Sequence, residues 1–172
     1  QENPENICEN QYFFVPLQIN SIRTMTEDEK YMRMALHEAQ LAYEQGEIPV
    51  GCVIVSNQPA AVIGRGHNLT QRLHDVTAHA EMQAIIAAAE TLGGKYLTGC
   101  TLYVTVEPCV MCAGAIGWSQ LGRLVYGASD EKRGFQRFAP EALHPKTEVV
   151  SGVLESECAQ LMKDFFKQKR SH

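Results

Sequence analysis

No apolar run in the chain approaches the roughly 20 residues that a membrane-crossing helix needs. The first twelve residues hold Glu2, Glu5 and Glu9 but no Lys or Arg, and the apolar patch at residues 12–19 is short and broken by Pro16. A secretory leader needs a basic start and an unbroken apolar stretch, so none is expected. Internal repeats and low-complexity tracts are missing. Excess positive charge is missing too: 15 Lys and Arg stand against 20 Asp and Glu, a net charge of −5. Global charge therefore lends no support to nucleic-acid binding, and a polyanionic partner would need a local basic surface. Lys163, Lys167, Lys169 and Arg170 supply one candidate. The plainer account of them is a solvated helix end whose cations suit the helix dipole.

A disulfide framework is also excluded. The six cysteines could form three bridges, but a chain of 172 residues can bury a real core without staples. Two of the six sit in a Cys-x-x-Cys beside proline, which reads as metal or redox chemistry. A reducing, cytoplasmic setting is the expectation.

Residues 1–24 are rich in Asn, Gln and Glu and keep no period, so they are expected to be a dispensable extension ahead of one domain, 25–172. Thr26 can cap a helix, with Glu29 three residues on closing a capping box. The helix runs to about Gln45, with Met32, Ala35, Leu36, Ala39 and Ala42 on one face. Residues 50–55 (VGCVIV) read as a buried central strand, and 60–66 as its partner after turn residues 56–59. A polar loop spans 67–77, and an alanine-rich helix spans 78–92. A strand at 101–106 is followed by a helix that Pro108 opens and that ends near Trp118. Strands at 121–128 and 147–153 and a helix at 155–169 complete the chain. Five strands interleaved with helices predict an α/β fold: one mixed sheet with helices on both faces.

Two short motifs at helix starts carry the chemistry: His79-Ala80-Glu81 and Pro108-Cys109-Val110-Met111-Cys112. Cysteines at i and i+3 in a first turn project to one side and can reach one ion. The positive helix end favours the thiolates that zinc needs. His79 supplies a third ligand, which leaves the fourth zinc position for water, activated by a fall in its pKa to about 7. Glu81 is too close in sequence to His79 to share a ligand face, so it is cast as the proton carrier between water and substrate. A closed structural zinc site is the competing account. It needs a fourth protein ligand, for which His67, His74 or Cys100 are available.

Weaker signals stay open. Asn68 either contacts a base edge or makes a turn. His67 and His74 are expected to be loop residues without catalytic duty. Cys52 and Cys158 are expected in the core. Trp118 either packs or walls the base pocket.

The runs Thr77-Ala78-His79-Ala80-Glu81 and Leu102–Ala115 (LYVTVEPCVMCAGA), with Glu47-Ile48-Pro49-Val50-Gly51 and Glu157-Cys158-Ala159…Asp164-Phe165-Phe166, resemble the bacterial tRNA-specific adenosine deaminases. H-x-E…P-C-x-x-C is the zinc deaminase signature. The resemblance covers residues 26–170. It implies the three-layer α/β/α cytidine deaminase-like fold, one zinc per chain, a homodimer, and conversion of adenosine to inosine at the wobble position of a tRNA anticodon loop. By position it implies His79, Cys109 and Cys112 as zinc ligands and Glu81 as the proton shuttle. It also implies Asn68 on the base and Ile48 and Phe166 lining the nucleotide pocket. Three stretches depart from the family: Trp118-Ser119-Gln120 stands where it has His-Ser-Arg, Ser129 replaces a basic residue before Asp130, and Gly134–Phe138 (GFQRF) replaces a Gly-Ser-Leu-Met-like segment. They fall where the family meets its partner subunit and RNA. A sister group with the same core deaminates free guanine or cytosine, which is the alternative substrate class.

Overall fold

Helix α1 (Glu27–Glu44) begins where the capping box predicts it. Thr26 Oγ1 accepts from the Glu29 backbone N–H at 3.1 Å, and the Glu29 carboxylate accepts from the Thr26 N–H at 3.0 Å. A computed structural model describes residues 23–171. The chain continues through β1 (Gly51–Asn57), β2 (Ala60–His67), α2 (Ala80–Leu92), β3 (Cys100–Val106), α3 (Val110–Trp118) and β4 (Arg123–Ala128). It closes with α4 (Phe135–Phe138), β5 (Glu148–Val150) and α5 (Glu155–Arg170). Residues 1–22, which hold Cys8 and most of the expected extension, lie outside the described part.

The five strands form one sheet in the order β2-β1-β3-β4-β5. β1 pairs antiparallel with β2 and β3, while β3–β4 and β4–β5 are parallel, so the sheet is mixed as expected. β1 is an interior strand, but the central place belongs to β3, buried along its whole length. Alternation along each strand splits the core in two. Cys52, Ile54, Leu102, Val104, Leu124 and Tyr126 face one side with Ala80, Ala84, Ala113 and Ile116 of α2 and α3. Val53, Val55, Tyr103 and Val125 face the other with Met32 and Ala35 of α1 and Cys158 of α5. Each fully buried large side chain contributes about 1.5–3 kcal/mol. Helices therefore cover both faces. Among the described residues no helix is long and apolar enough to cross a membrane.

Close packing of α2 on the sheet depends on missing side chains. A Cβ on Gly66 of β2 would fall on the Ala80 carbonyl oxygen, and one on Gly64 on that of Ala84. On the opposite layer, Asp28 pins the start of α1 to β4. Its carboxylate accepts from Arg123 Nη1 at 2.7 Å and Nη2 at 2.9 Å, and from the Tyr103 hydroxyl at 2.9 Å. Arg123 holds the Asp28 carboxyl below the usual carboxylate range.

Several boundaries differ from expectation. α2 begins at Ala80 rather than Ala78, and α3 at Val110 rather than Pro108, because His79 and Cys109 are extended N-cap residues. β4 starts at Arg123 instead of Leu121, since Gln120 turns with φ 52°. β5 stops at Val150 rather than Val153, because Gly152 (φ 81°) and Leu154 (φ 51°) turn the chain into α5. His67 is the last residue of β2, paired with Gly51, and not a loop residue. The short helix α4 was not anticipated.

Candidate functional site

Three side chains from two helix starts converge under the α2–α3 layer. His79 Nδ1 lies 3.6 Å from Cys109 Sγ and 3.5 Å from Cys112 Sγ. All three donor atoms are within 4.8 Å of one another, the one such group among the described residues. The spacing can be checked against zinc. With Zn–S of about 2.3 Å and Zn–N of about 2.0–2.1 Å, a tetrahedral angle separates sulfur from nitrogen by about 3.5 Å. The observed pair of distances matches that edge, and two sulfurs with one imidazole are the donor set zinc prefers. His67, His74 and Cys100, the candidates for a fourth protein ligand, stay outside the group. His67 is tied elsewhere, its Nδ1 3.1 Å from Glu38 and its Nε2 3.3 Å from Gln45 Nε2.

The local backbone explains the convergence. An N-cap residue leaves its side chain free of the helical direction, and neither His79 nor Cys109 uses its side chain to cap. Cys112 is one turn on from Cys109 and buried. Loop 68–77 delivers His79: the Leu69 N–H donates to the Ala78 carbonyl at 3.0 Å, and Asp75 Oδ1 accepts from Thr77 N–H and Oγ1, both at 2.8 Å. On the other strand of the site, the Cys109 backbone bridges to Gly134, and the Phe135 N–H donates to the Pro108 carbonyl at 2.9 Å.

The electrostatics favour thiolate. The hydrogen bond from Cys112, followed by that from His79, pulls the Cys109 thiol down to about 4. Cys112 moves the other way, raised by the same sulfur–sulfur contact and by burial. Glu81 sits beside the two sulfurs, 3% exposed, with Cys112 as a hydrogen-bond partner. Burial pushes its carboxyl up to about 7. A carboxyl poised there can both take and give a proton near neutral pH.

Asn68 is buried, at 5% exposure, and bonded to Glu47, so it is more than a turn former. Ile48 (41% exposed) and Phe166 (40%) each present a half-exposed apolar surface, Phe166 edge-on to Phe165. Trp118 is 86% exposed, which corrects the reading of it as a packing residue in the single chain. Cys52, Cys100 and Cys158 are free and buried.

Two residues were missed. Glu47 and Glu107 are 1% and 7% exposed, and each gathers a loop beside the site. Glu107 accepts from the Asp130 and Gln136 backbone N–H groups at 2.9 and 3.0 Å, fastening the segment that bridges to Cys109. The available signal was an acid one or two residues before a motif proline, Pro108 for Glu107 and Pro49 for Glu47.

Residues 25–128 match the model of the cytidine and deoxycytidylate deaminase zinc-binding region. The chain is 45% identical over 151 residues to the tRNA-specific adenosine deaminase of Bacillus subtilis (strain 168), covering 85% of this chain and 92% of that protein. A solved structure from biochemical and structural studies of A-to-I editing by tRNA:A34 deaminases at the wobble position superposes with a TM-score of 0.71. It shares 46% identity and covers 77% of this chain and 98% of that one. A guanine deaminase structure from Bacillus subtilis gives a TM-score of 0.56 and 38% identity over 60% of this chain and 66% of that one.

Proposed function

The chain belongs to the cytidine and deoxycytidylate deaminase zinc-binding family, among the tRNA-specific adenosine deaminases, and we propose that it converts adenosine to inosine at the wobble position of a tRNA anticodon. The observation that carries this reading is the 45% identity to the tRNA-acting relative over 92% of its length, against 38% identity to the guanine deaminase over 66% of that chain. In this reading His79 Nδ1, Cys109 Sγ and Cys112 Sγ hold one zinc ion. Held by these three residues, a zinc ion would supply Lewis-acid activation of the attacking water, whose pKa would fall to about 7.

The remaining work falls to the chain. Glu81 takes one proton from the attacking water to the ring nitrogen, then carries the second, from the oxygen now on C6, to the departing amine. The net change is water in and ammonia out, the amine at adenine C6 giving way to oxygen. Asn68 holds the nucleoside from loop 68–77, and Ile48 and Phe166 flank the base. The substrate base must leave its stack, which costs little in an unpaired anticodon loop. RNA phosphates meet the local cations Lys167, Lys169 and Arg170 in the last turn of α5, despite the net charge of −5.

The same reading makes the protein a cytoplasmic homodimer. Its contact face draws on the exposed apolar side chains of α2 and α3, Ile86, Met111 and Trp118. The working domain is residues 25–172, so removing residues 1–24 leaves the melting temperature and activity unchanged, and a large drop in either refutes that boundary. Free guanine or cytosine is the alternative substrate. Parallel incubation with anticodon stem-loop RNA and with each free base, followed by product analysis, separates the two. Conversion of a free base without conversion of the stem-loop overturns the proposal.

A further inference from the structure

Glu47 is the most enclosed carboxylate in the described chain, and its hydrogen bonds all go to one loop. Oε2 accepts from Asn68 Nδ2 at 3.0 Å, from the Thr70 hydroxyl at 3.4 Å and from the Gln71 N–H at 3.2 Å. Oε1 accepts from the Arg72 N–H at 2.8 Å. Glu47 is itself fixed to the end of α1, where its N–H donates to the Ala42 carbonyl at 2.9 Å after the left-handed turn at Gly46 (φ 74°). Burying a carboxylate is costly unless donors surround it. Four donors from residues 68–72 meet that requirement here, and in doing so they set the shape of the loop.

The direction of these bonds has a consequence for Asn68. A carboxylate has no hydrogen to give, so it receives the amide nitrogen and not the amide oxygen. The second amide hydrogen goes to Thr70 Oγ1 at 3.2 Å, and the Thr70 hydroxyl then donates to Glu47. Both Asn68 hydrogens are thus committed inward. Turning the amide over would set Oδ1 against a carboxylate oxygen and lose both bonds. No donor to Oδ1 occurs among the described residues, and no side-chain polar atom is both buried and unpartnered.

We propose that Glu47 is a positioning residue that locks the Asn68 amide so that Oδ1 is offered to the nucleoside as a hydrogen-bond acceptor. Its partner is an N–H or hydroxyl of the substrate. The proposal rests on the reading of Asn68 as a nucleoside contact.

The test is a double-mutant cycle in the full-length zinc-loaded protein. Glu47→Gln keeps the volume but puts a donor where only acceptors fit. Expected in Glu47→Gln are unchanged zinc content, faster hydrogen exchange at the Gln71 and Arg72 amides, and a loss of kcat/KM on stem-loop RNA of on the order of tenfold to a hundredfold. Asn68→Ala gives a comparable loss. In the Asn68→Ala background, Glu47→Gln should cost less than about twofold more, since partners in one network do not add. A merely structural role would make the two losses multiply, and that result overturns the proposal. Unchanged exchange at Gln71 and Arg72 overturns it without touching the assignment of Asn68. Full activity in Asn68→Ala instead removes the nucleoside contact on which the proposal stands. If Glu47→Gln does not fold, Thr70→Val cuts one link of the same network and must show the same non-additivity with Asn68→Ala.

Discussion

Gly66→Ala tests whether packing of α2 on the sheet sets the chemistry. The added Cβ would meet Gln83 Cβ at 2.7 Å and the Ala84 nitrogen at 2.8 Å, besides the Ala80 carbonyl. Ordinary contact between carbons lies at about 3.5–4.0 Å, so α2 must retreat by about 1 Å. The obstacle is largely helix backbone, which cannot swing aside as a long side chain would. Overpacking of this kind costs about 1–3 kcal/mol. Alanine returns about 0.4–1 kcal/mol by restricting the unfolded chain, because Gly66 has no left-handed φ to strain. The net loss of about 1–2 kcal/mol lowers the melting temperature of a chain this size by about 2–8 °C. The start of α2 carries His79 and Glu81, so the same retreat moves a ligand and the proton carrier relative to Cys109 and Cys112. Misplacement by 1 Å costs about a hundredfold in rate. Thermal melts and kcat on stem-loop RNA are the assays. A variant as stable and as fast as the parent would show that α2 does not rest on Gly66.

Glu81→Gln keeps size and hydrogen bonding without the proton transfer, so zinc stays and the rate falls by about 10²–10⁴; loss of metal would make Glu81 a ligand. Replacing Lys167, Lys169 and Arg170 with Ala should weaken RNA binding and flatten the log–log salt slope by about 0.7 for each phosphate no longer neutralised; an unchanged slope removes α5 from the interface. Asp28→Asn should destabilise the fold near neutral pH by about 1 kcal/mol, a figure discounted because Asp28 and Arg123 both keep a quarter of their surface exposed. The Asp28 carboxyl is depressed from 3.8, so its contribution is present above that pH and vanishes as pH falls through the lower folded value. Melts of parent and variant should converge in acid, and a gap that persists there contradicts the pairing. Trp118→Glu should shift a dimer toward monomer in sedimentation velocity, whereas an unshifted dimer places the contact elsewhere.

Local signals were legible where they act within a few residues. The Thr26–Glu29 box and the apolar run at 50–55 each specify a short backbone shape, and the structure has those shapes. The metal group was legible because a spacing of three at a helix start leaves little geometric freedom. Its exact backbone was not: His79 and Cys109 precede their helices as extended caps, which pattern alone does not distinguish from a first turn. Glu47 and Glu107 were hidden for a different reason. Four of their partners are backbone amides 23 to 29 residues away, and a backbone N–H leaves no mark in the sequence. Trp118 shows the limit of hydrophobicity as a guide, since an apolar side chain at a helix end can face outward.

The most direct test of the central claim is the mass of the nucleosides from an anticodon stem-loop incubated with the zinc-loaded protein in heavy-oxygen water. Hydrolytic deamination predicts inosine at the wobble position alone, carrying one heavy oxygen at C6. Adenosine recovered unchanged at that position, while free guanine or cytosine is converted under the same conditions, would contradict the account.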